Sequence, residues 1–198
     1  MKPAYQKIYE HAKPFLRTRK NIIHTKIALR YALKLLEKEL GDEEVVVPAI
    51  LLHDVGWKSV PENLQLTAFG PKQSNPRVTR QHEVEGAKIA RTILELIPYP
   101  SEKAEEICRI IRGHDTRKRP ISRSDRIVKD ADKLFRYSRK GFAIDVNRFQ
   151  ISRGDYLDYL EMRIGRWFFL NSSRQWAREE LARRRKETGS PLPPICPE

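Results

Sequence analysis

Apolar side chains recur along this chain at helical rather than strand spacing. In "NIIHTKIALRYALKLLEKEL", residues 21–40, Ile23, Ile27, Tyr31 and Leu35 fall in steps of four, and Gly41 ends the run. "EEVVVPAILLHDVGW" is shorter and more apolar. Acidic residues lead into it and Gly56 follows, which predicts a buried helix ending near Asp54. Residues 60–80 hold prolines, a glycine and polar side chains and read as a loop with one short helix. "TRQHEVEGAKIARTILELI" is predicted helical, with Val84, Ala87, Ala90 and Leu94 on one face. "SEKAEEICRIIRGHD" is capped by Ser101 and closes at Gly113. "SRSDRIVKDADKLFRYSRKG" supplies another helix, with Ile127, Asp130 (or Ala131) and Leu134 on one side. "FAIDVNRFQISRG" is less regular, and Asp155 is expected to cap one long helix through about Lys186. Nothing alternates with a strand period, so the predicted class is all-α: a helical bundle with a long basic C-terminal helix.

Length and composition narrow the picture further. At 198 residues the chain suits one domain with an appendage. The expected division is a bundle over 1–150, a helical extension packed on it over 151–187, and a Pro-rich tail over 188–198. Cys108 and Cys196 form no disulfide framework or paired zinc motif and fit a reducing compartment. "MKPAYQKIYEHAKPF" has no apolar segment of the signal-peptide kind, and the run around "VVVPAILL" is too short to span a bilayer. A cytoplasmic protein without a membrane partner is expected. The formal charge of +13 favours anionic partners, and between Arg117 and Lys140 ten Lys or Arg stand against three Asp.

The chemistry concentrates at histidines. Of His11, His24, His53, His82 and His114, the last four occupy separate predicted helices or their ends. His53 and Asp54 are adjacent where an apolar run stops, and His114 and Asp115 repeat that pairing after Gly113. Burying imidazole and carboxylate together costs several kcal/mol, roughly, unless they are paired or bound to a cation. Consecutive helical side chains diverge by about 100°, so a His-Asp pair serves one ion best at a helix end. Imidazole nitrogen and carboxylate oxygen suit a divalent ion such as Mn, Fe, Co, Ni or Zn, and a bundle supplies such ligands from facing helices. Asp130 and Asp132, two apart in "VKDADKL", face different ways. His11 reads as a surface residue.

The order of these residues resembles the HD superfamily of metal-dependent phosphohydrolases. The resemblance rests on His24, on His53 and Asp54 in "LLHDVG", and on Asp130 in "VKDADKL", over roughly residues 20–140. "HEVEGAKIA" and "IIRGHD" resemble segments that carry further histidines in many members. The resemblance implies a bundle in which His24, His53, Asp54 and Asp130 hold a divalent ion (Mg included), with a second ion or the substrate phosphate at His82 and His114. Trp57 stands where relatives that cleave cyclic dinucleotides have Lys, and their Gly-Tyr-Pro signature is absent after His114, which argues against that substrate.

The expected reaction is hydrolysis of a phosphate ester or anhydride of a nucleotide or another small phosphorylated metabolite. Asp54, His82 and His114 are the expected catalytic residues. His82 and His114, with Lys58, Arg117 and Arg136, are the expected contacts to substrate; Lys118 and Arg119 extend that basic rim. The competing expectation is a nucleic-acid-binding module with a structural metal, whose binding would weaken steeply with salt. Trp167, Phe168, Phe169 and Trp176 spread over several faces, which packing explains more economically than base stacking. A homodimer through the C-terminal helix is the remaining expectation.

Overall fold

A computed structural model describes residues 2–187; the Pro-rich tail expected over 188–198 lies outside them. Among the described residues there are eleven α-helices and no strand: α1 (Pro3–Leu16), α2 (Asn21–Leu36), α3 (Glu43–Leu52), α4 (Glu62–Gln65), α5 (Pro76–Glu95), α6 (Ser101–Ile111), α7 (Arg123–Leu134), α8 (Arg139–Phe149), α9 (Arg153–Glu161), α10 (Ile164–Trp167) and α11 (Asn171–Lys186). The all-α expectation holds. Among the described residues, no helix is long and apolar enough to cross a membrane.

Helix α3 is the axis of the bundle. Asp42 caps it by accepting the Glu44 N–H at 2.8 Å, and Glu43 and Glu44 sit in its first turn where the helix dipole favours them. Every residue from Val45 to Leu52 is buried, because α1, α2, α6 and α7 all pack against it. Pro48 has no N–H for the Glu44 carbonyl; the Tyr99 hydroxyl donates to that carbonyl instead. The orphan acceptor thereby fastens the α5–α6 turn to α3.

The buried stripe of α2 is rotated from the expected one. Tyr31 and Leu35 are inside, but Ile23 and Ile27 lie at the margin, and Asn21, His24, Thr25 and Ala28 take the centre. The polar residues were the inward ones. Helix α5 starts three residues earlier than expected, at Pro76 rather than Thr79, which places His82 in its second turn. The 3-10 helix Val55–Ser59 packs flat on α5. Gly56 permits this: a Cβ there would lie 1.9 Å from the His82 carbonyl oxygen and 2.4 Å from the Gly86 nitrogen.

The loop over 60–75 contains the one expected short helix, α4, and is held by a satellite core of Trp57, Val60, Ala68 and Val78 with Phe69 against it. Gln65 Nε2 donates to the carbonyls of Trp57 and Val60.

The C-terminal third departs most from expectation. The helix expected over 122–141 ends at Leu134, and the first part of the stretch 142–154, expected to be less regular, belongs to α8, capped by Ser138. The long helix expected over 155–186 is three helices, α9, α10 and α11. Ser152 rather than Asp155 caps α9, accepting the Asp155 N–H. Ser101 likewise is the first residue of α6 and makes no side-chain cap. The break at Phe168 and Leu170, both extended, has a physical cause: the backbone N–H groups of Phe169 and Leu170 donate to Asp130 at 3.0 and 2.9 Å. Apolar residues of α9–α11, including Tyr156, Leu160, Phe168 and Leu181, join the same core as α1–α7. Trp167 and Trp176 pack against that core, as economy of packing suggested.

Candidate metal centre

Four helix ends and one helix interior bring the site together. His53 is the C-terminal cap of α3 and Asp54 begins the 3-10 helix, with φ −102° and ψ 4°. Leaving the α-helix at that point turns two neighbouring side chains towards one spot. His24 comes from the first turns of α2, His82 from α5, His114 from the turn after α6, and Asp132 from α7. His53 and His82 are fully enclosed and His24, Asp54, His114 and Asp132 nearly so. His11 is exposed, as expected.

The six side chains form two groups of three whose ligand atoms lie within 4.8 Å of one another: His24, His53 and Asp132, and Asp54, His82 and His114. In the first, the Nε2 atoms of His24 and His53 are 2.8 Å apart, and Asp132 Oδ1 is 3.1 Å from that of His24. In the second, the Nε2 atoms of His82 and His114 are 3.3 Å apart. Asp54 lies between the groups: Oδ2 is 3.6 Å from the Nε2 of both His24 and His53, and Oδ1 is 3.9 Å from that of His114.

Hydrogen bonding fits these residues to a cation. His53 Nδ1 and His114 Nδ1 each lie 2.8 Å from the carbonyl three residues back, Ile50 and Ile111. A carbonyl only accepts, so both Nδ1 atoms carry the proton and both Nε2 atoms present a lone pair inward. Two inward lone pairs, each 2.8 to 3.3 Å from the Nε2 of a second imidazole and close to buried carboxylates, suit the donor set of a divalent ion.

The electrostatics agree. Burial holds the His53 pKa below its ordinary value and takes His82 down to about 4, so both are neutral ligands at neutral pH. For His114 burial also opposes charge, but Asp115, Glu83 and Asp132 outweigh it and raise its pKa. Burial alone would raise Asp54; His53, His24 and Arg19 hold it below the usual carboxylate range. Lys133 and His24 do the same for Asp132 against a like penalty.

Neighbouring groups orient the ligands. Trp57 Nε1 donates to Asp54 Oδ1 at 2.9 Å, and its ring stacks on His82 with centroids 3.9 Å apart. Buried Glu83 accepts the N–H groups of Asp115 and Thr116, each at 2.8 Å. Lys129 donates to the carbonyls of Gly113, His114 and Arg117. The turn carrying His114 is thus gripped from α5 and from α7.

The sequence reading and the structure differ at α7. Asp130, expected as the metal ligand, is turned away to the backbone of Phe169 and Leu170, and Asp132 stands with His24 and His53. Two residues along a helix rotate a side chain by about 200°, so only one of the pair faces the site. The wrong choice came from the linear motif; the presence of two candidates in "DAD" was the available signal. Asp115 was also missed: its Oδ2 is 3.5 Å from His82 Nε2 and 3.6 Å from His114 Nε2. Lys133 bonds both Asp115 and Asp132.

Of the expected substrate contacts, Arg136 lines the recess over the first group, together with Lys133 and Arg148. Lys58 is exposed on the 3-10 helix. Arg117 is committed to Asp125 Oδ2 at 3.1 Å and to the Arg109 carbonyl. Neither lines that recess.

Comparison with known proteins sharpens the assignment. No curated protein and no solved structure matches this chain. A family model, the HD domain, matches residues 21–137, from the first residue of α2 to just past α7. That span contains every residue of both triads, and the chain belongs to the HD domain family.

Proposed function

We propose that this protein is a metal-dependent phosphohydrolase that cleaves a phosphate ester or anhydride of a nucleotide or another small phosphorylated metabolite. One observation carries the reading: the two His/Asp triads adjoin a recess whose other charged walls are the four cations Arg19, Lys133, Arg136 and Arg148 against the single carboxylate of Asp115. A structural ion needs no cationic wall beside it; a phosphate does.

His24, His53 and Asp132 hold one divalent ion, and Asp54, His82 and His114 are equipped to hold a second. When bound, such an ion supplies an acidified water and polarises a phosphoryl oxygen. The chain's own groups do the rest. Asp54 faces both triads and accepts a hydrogen bond from the attacking water. Lys133 and Arg136 orient the phosphate. Where a single ion is held, His82 and His114 are left to contact the phosphate, and His114, with Asp115 and Glu83 nearby to favour its charged form, would deliver a proton from Nε2 to the leaving oxygen once that atom is protonated.

The test is metal content by mass spectrometry on protein purified without chelator, wild type beside Asp54→Ala. It is paired with phosphate release from a nucleotide panel under added Mn, Co, Ni or Mg. Bound metal and turnover lost together in the variant are expected. Full turnover by metal-stripped Asp54→Ala protein would overturn the proposal.

A further inference from the structure

The recess over the first triad contains a cation that neither the metal ligands nor the ion pairs of the fold account for. Arg19 lies in the link between α1 and α2. Its guanidinium carbon is 3.8 Å from the centroid of the Trp57 ring and 4.1 Å from that of Phe69. Both contacts are short enough for strong cation–π attraction. Arg136 and Arg148 approach the same Phe69 ring at 5.5 and 5.4 Å. Three guanidinium groups therefore surround one phenyl ring. Asp145 answers two of them, bonding Arg136 at 2.7 Å and Arg148 at 3.0 Å.

Arg19 is left over. Its Nε and Nη1 atoms are enclosed and have no hydrogen-bond partner among the described residues. Asn21, only 2% exposed, has the same deficit at Nδ2. Both side chains line the recess that His24, Asp54 and Asp132 also line. Enclosed donors without acceptors cost roughly 1–3 kcal/mol each, so two neighbours in this state mark a place where an acceptor binds.

The backbone shows a second sign of function. Arg19 and Lys20 have φ of 54° and 63°, consecutive left-handed residues in a chain where, among the described residues, Gln150 is the one other non-glycine so placed. Such conformations are unfavourable for side-chain-bearing residues and persist where surrounding contacts hold them. Here Arg148 donates to the Arg19 carbonyl, and the Asn21 N–H bonds the Thr18 carbonyl at 2.8 Å. The kink aims Arg19 inward across the aromatic pair. Burial lowers its pKa to about 9, so it remains a cation at neutral pH.

We propose that Arg19 and Asn21, backed by Arg136 and Arg148, form the receptor for the substrate's phosphate group. The proposal rests on the phosphohydrolase reading above and assigns its anion contact to the α1–α2 link rather than to the basic segment 117–119. A wider recess of about 420 Å³ shares Phe69, Asp115, Lys133 and Arg136 with this one and continues past Tyr159 and Trp167. The remainder of the ester lies there, with the phosphate turned towards Arg19 and the triads.

Inorganic phosphate is the probe, titrated calorimetrically into the full chain purified without chelator. Arg19→Met is expected to weaken phosphate binding about 10- to 100-fold, the loss of one or two charge-assisted hydrogen bonds, with metal content unchanged. Arg19→Lys recovers part of the affinity, since an ammonium keeps the charge but loses the planar fork. Phosphate affinity in Arg19→Met within twofold of wild type would overturn the proposal. A second measurement needs no variant: butanedione modification of the wild-type chain, mapped by mass spectrometry. Phosphate is expected to protect Arg19, and equal modification with and without phosphate would also overturn the proposal. Failure of the two readings is distinguishable. Inert esters with Arg19-dependent phosphate binding would remove the hydrolase and keep the anion receptor. Cleaved esters with Arg19-independent binding would remove the receptor alone.

Discussion

Asp130 and Asp132 stand two residues apart on α7 and serve opposite sides of it. Asp132 Oδ1 faces His24 Nε2 at 3.1 Å, while Asp130 accepts two backbone N–H groups from the segment that breaks the C-terminal helices. One carboxylate belongs to the candidate metal centre and the other to the architecture. Asp132→Asn is therefore expected to lose metal from the first triad with little change in helicity. Asp130→Ala is expected to keep its metal and lose roughly 2–4 kcal/mol of stability, from two unsatisfied buried donors. Metal analysis and urea unfolding of both variants separate these outcomes; metal loss in Asp130→Ala at native stability would reverse the assignment.

Trp57 positions Asp54 through the 2.9 Å hydrogen bond to Oδ1 while stacking on His82. Trp57→Phe keeps the stack and removes the donor. Partners of this kind are typically worth about 10- to 100-fold in metal affinity, so competition with a chelating dye should report a loss of that size. An unchanged affinity would mean that the bond to Trp57 does not orient Asp54.

Acidification should cost metal-free protein stability through the neutral histidines of the site. The pKa of His82 is lowered by burial from 6.5 to about 4, and that of His53 is lowered too. A histidine with a depressed folded-state pKa contributes stability above its unfolded value. That contribution is lost as pH falls from 6.5 towards 4, because the unfolded chain takes up the proton first. For His82 alone this is on the order of 3 kcal/mol; His114, with its pKa raised, and Asp130, whose carboxyl burial pushes up to about 6, offset part of it. Urea unfolding of chelator-treated protein near about pH 7 and about pH 5 should show the fall, and His82→Gln should flatten it. Equal slopes in the two proteins would contradict the origin assigned to it.

Gly56→Ala is the sharpest steric test. Its Cβ would meet backbone atoms of α5 at 1.9 and 2.4 Å, and backbone cannot rotate aside as a side chain can. The 3-10 helix must separate from α5, costing 3 kcal/mol or more, roughly the upper end for overpacking. The same shift pulls Asp54 and Trp57 away from His82. A lowered melting temperature together with weakened metal binding at Asp54, His82 and His114 is expected. A variant with wild-type melting and metal content would show that the contact gives way cheaply.

Local chemistry made much of this molecule legible. The helices around the site have apolar spacing and end signals that depend only on neighbouring residues, and α2, α3, α5, α6 and α7 lie close to where the pattern put them. The helix α1, with Tyr5, Ile8, Ala12 and Leu16 buried in steps of three and four, has the spacing of an amphipathic helix and is an addition to the predicted elements. His24, His53, Asp54, His82 and His114 stood out because polar groups on buried faces are costly and demand partners. Their grouping into two triads was not legible, since it depends on how five elements cross.

Sequence alone determined that the chain is helical, that four histidines point inward and that a cation is the natural partner for them, because period, caps and burial cost act over a few residues. Tertiary structure alone decided which aspartate of "DAD" stands with His24 and His53, that Asp130 breaks the C-terminal helix, and that Arg19 enters the recess while Lys58 and Arg117 do not. Those outcomes rest on contacts between residues up to 40 positions apart and more. A rotation of α7 by two residues, about 200° and invisible in the local pattern, would exchange the roles.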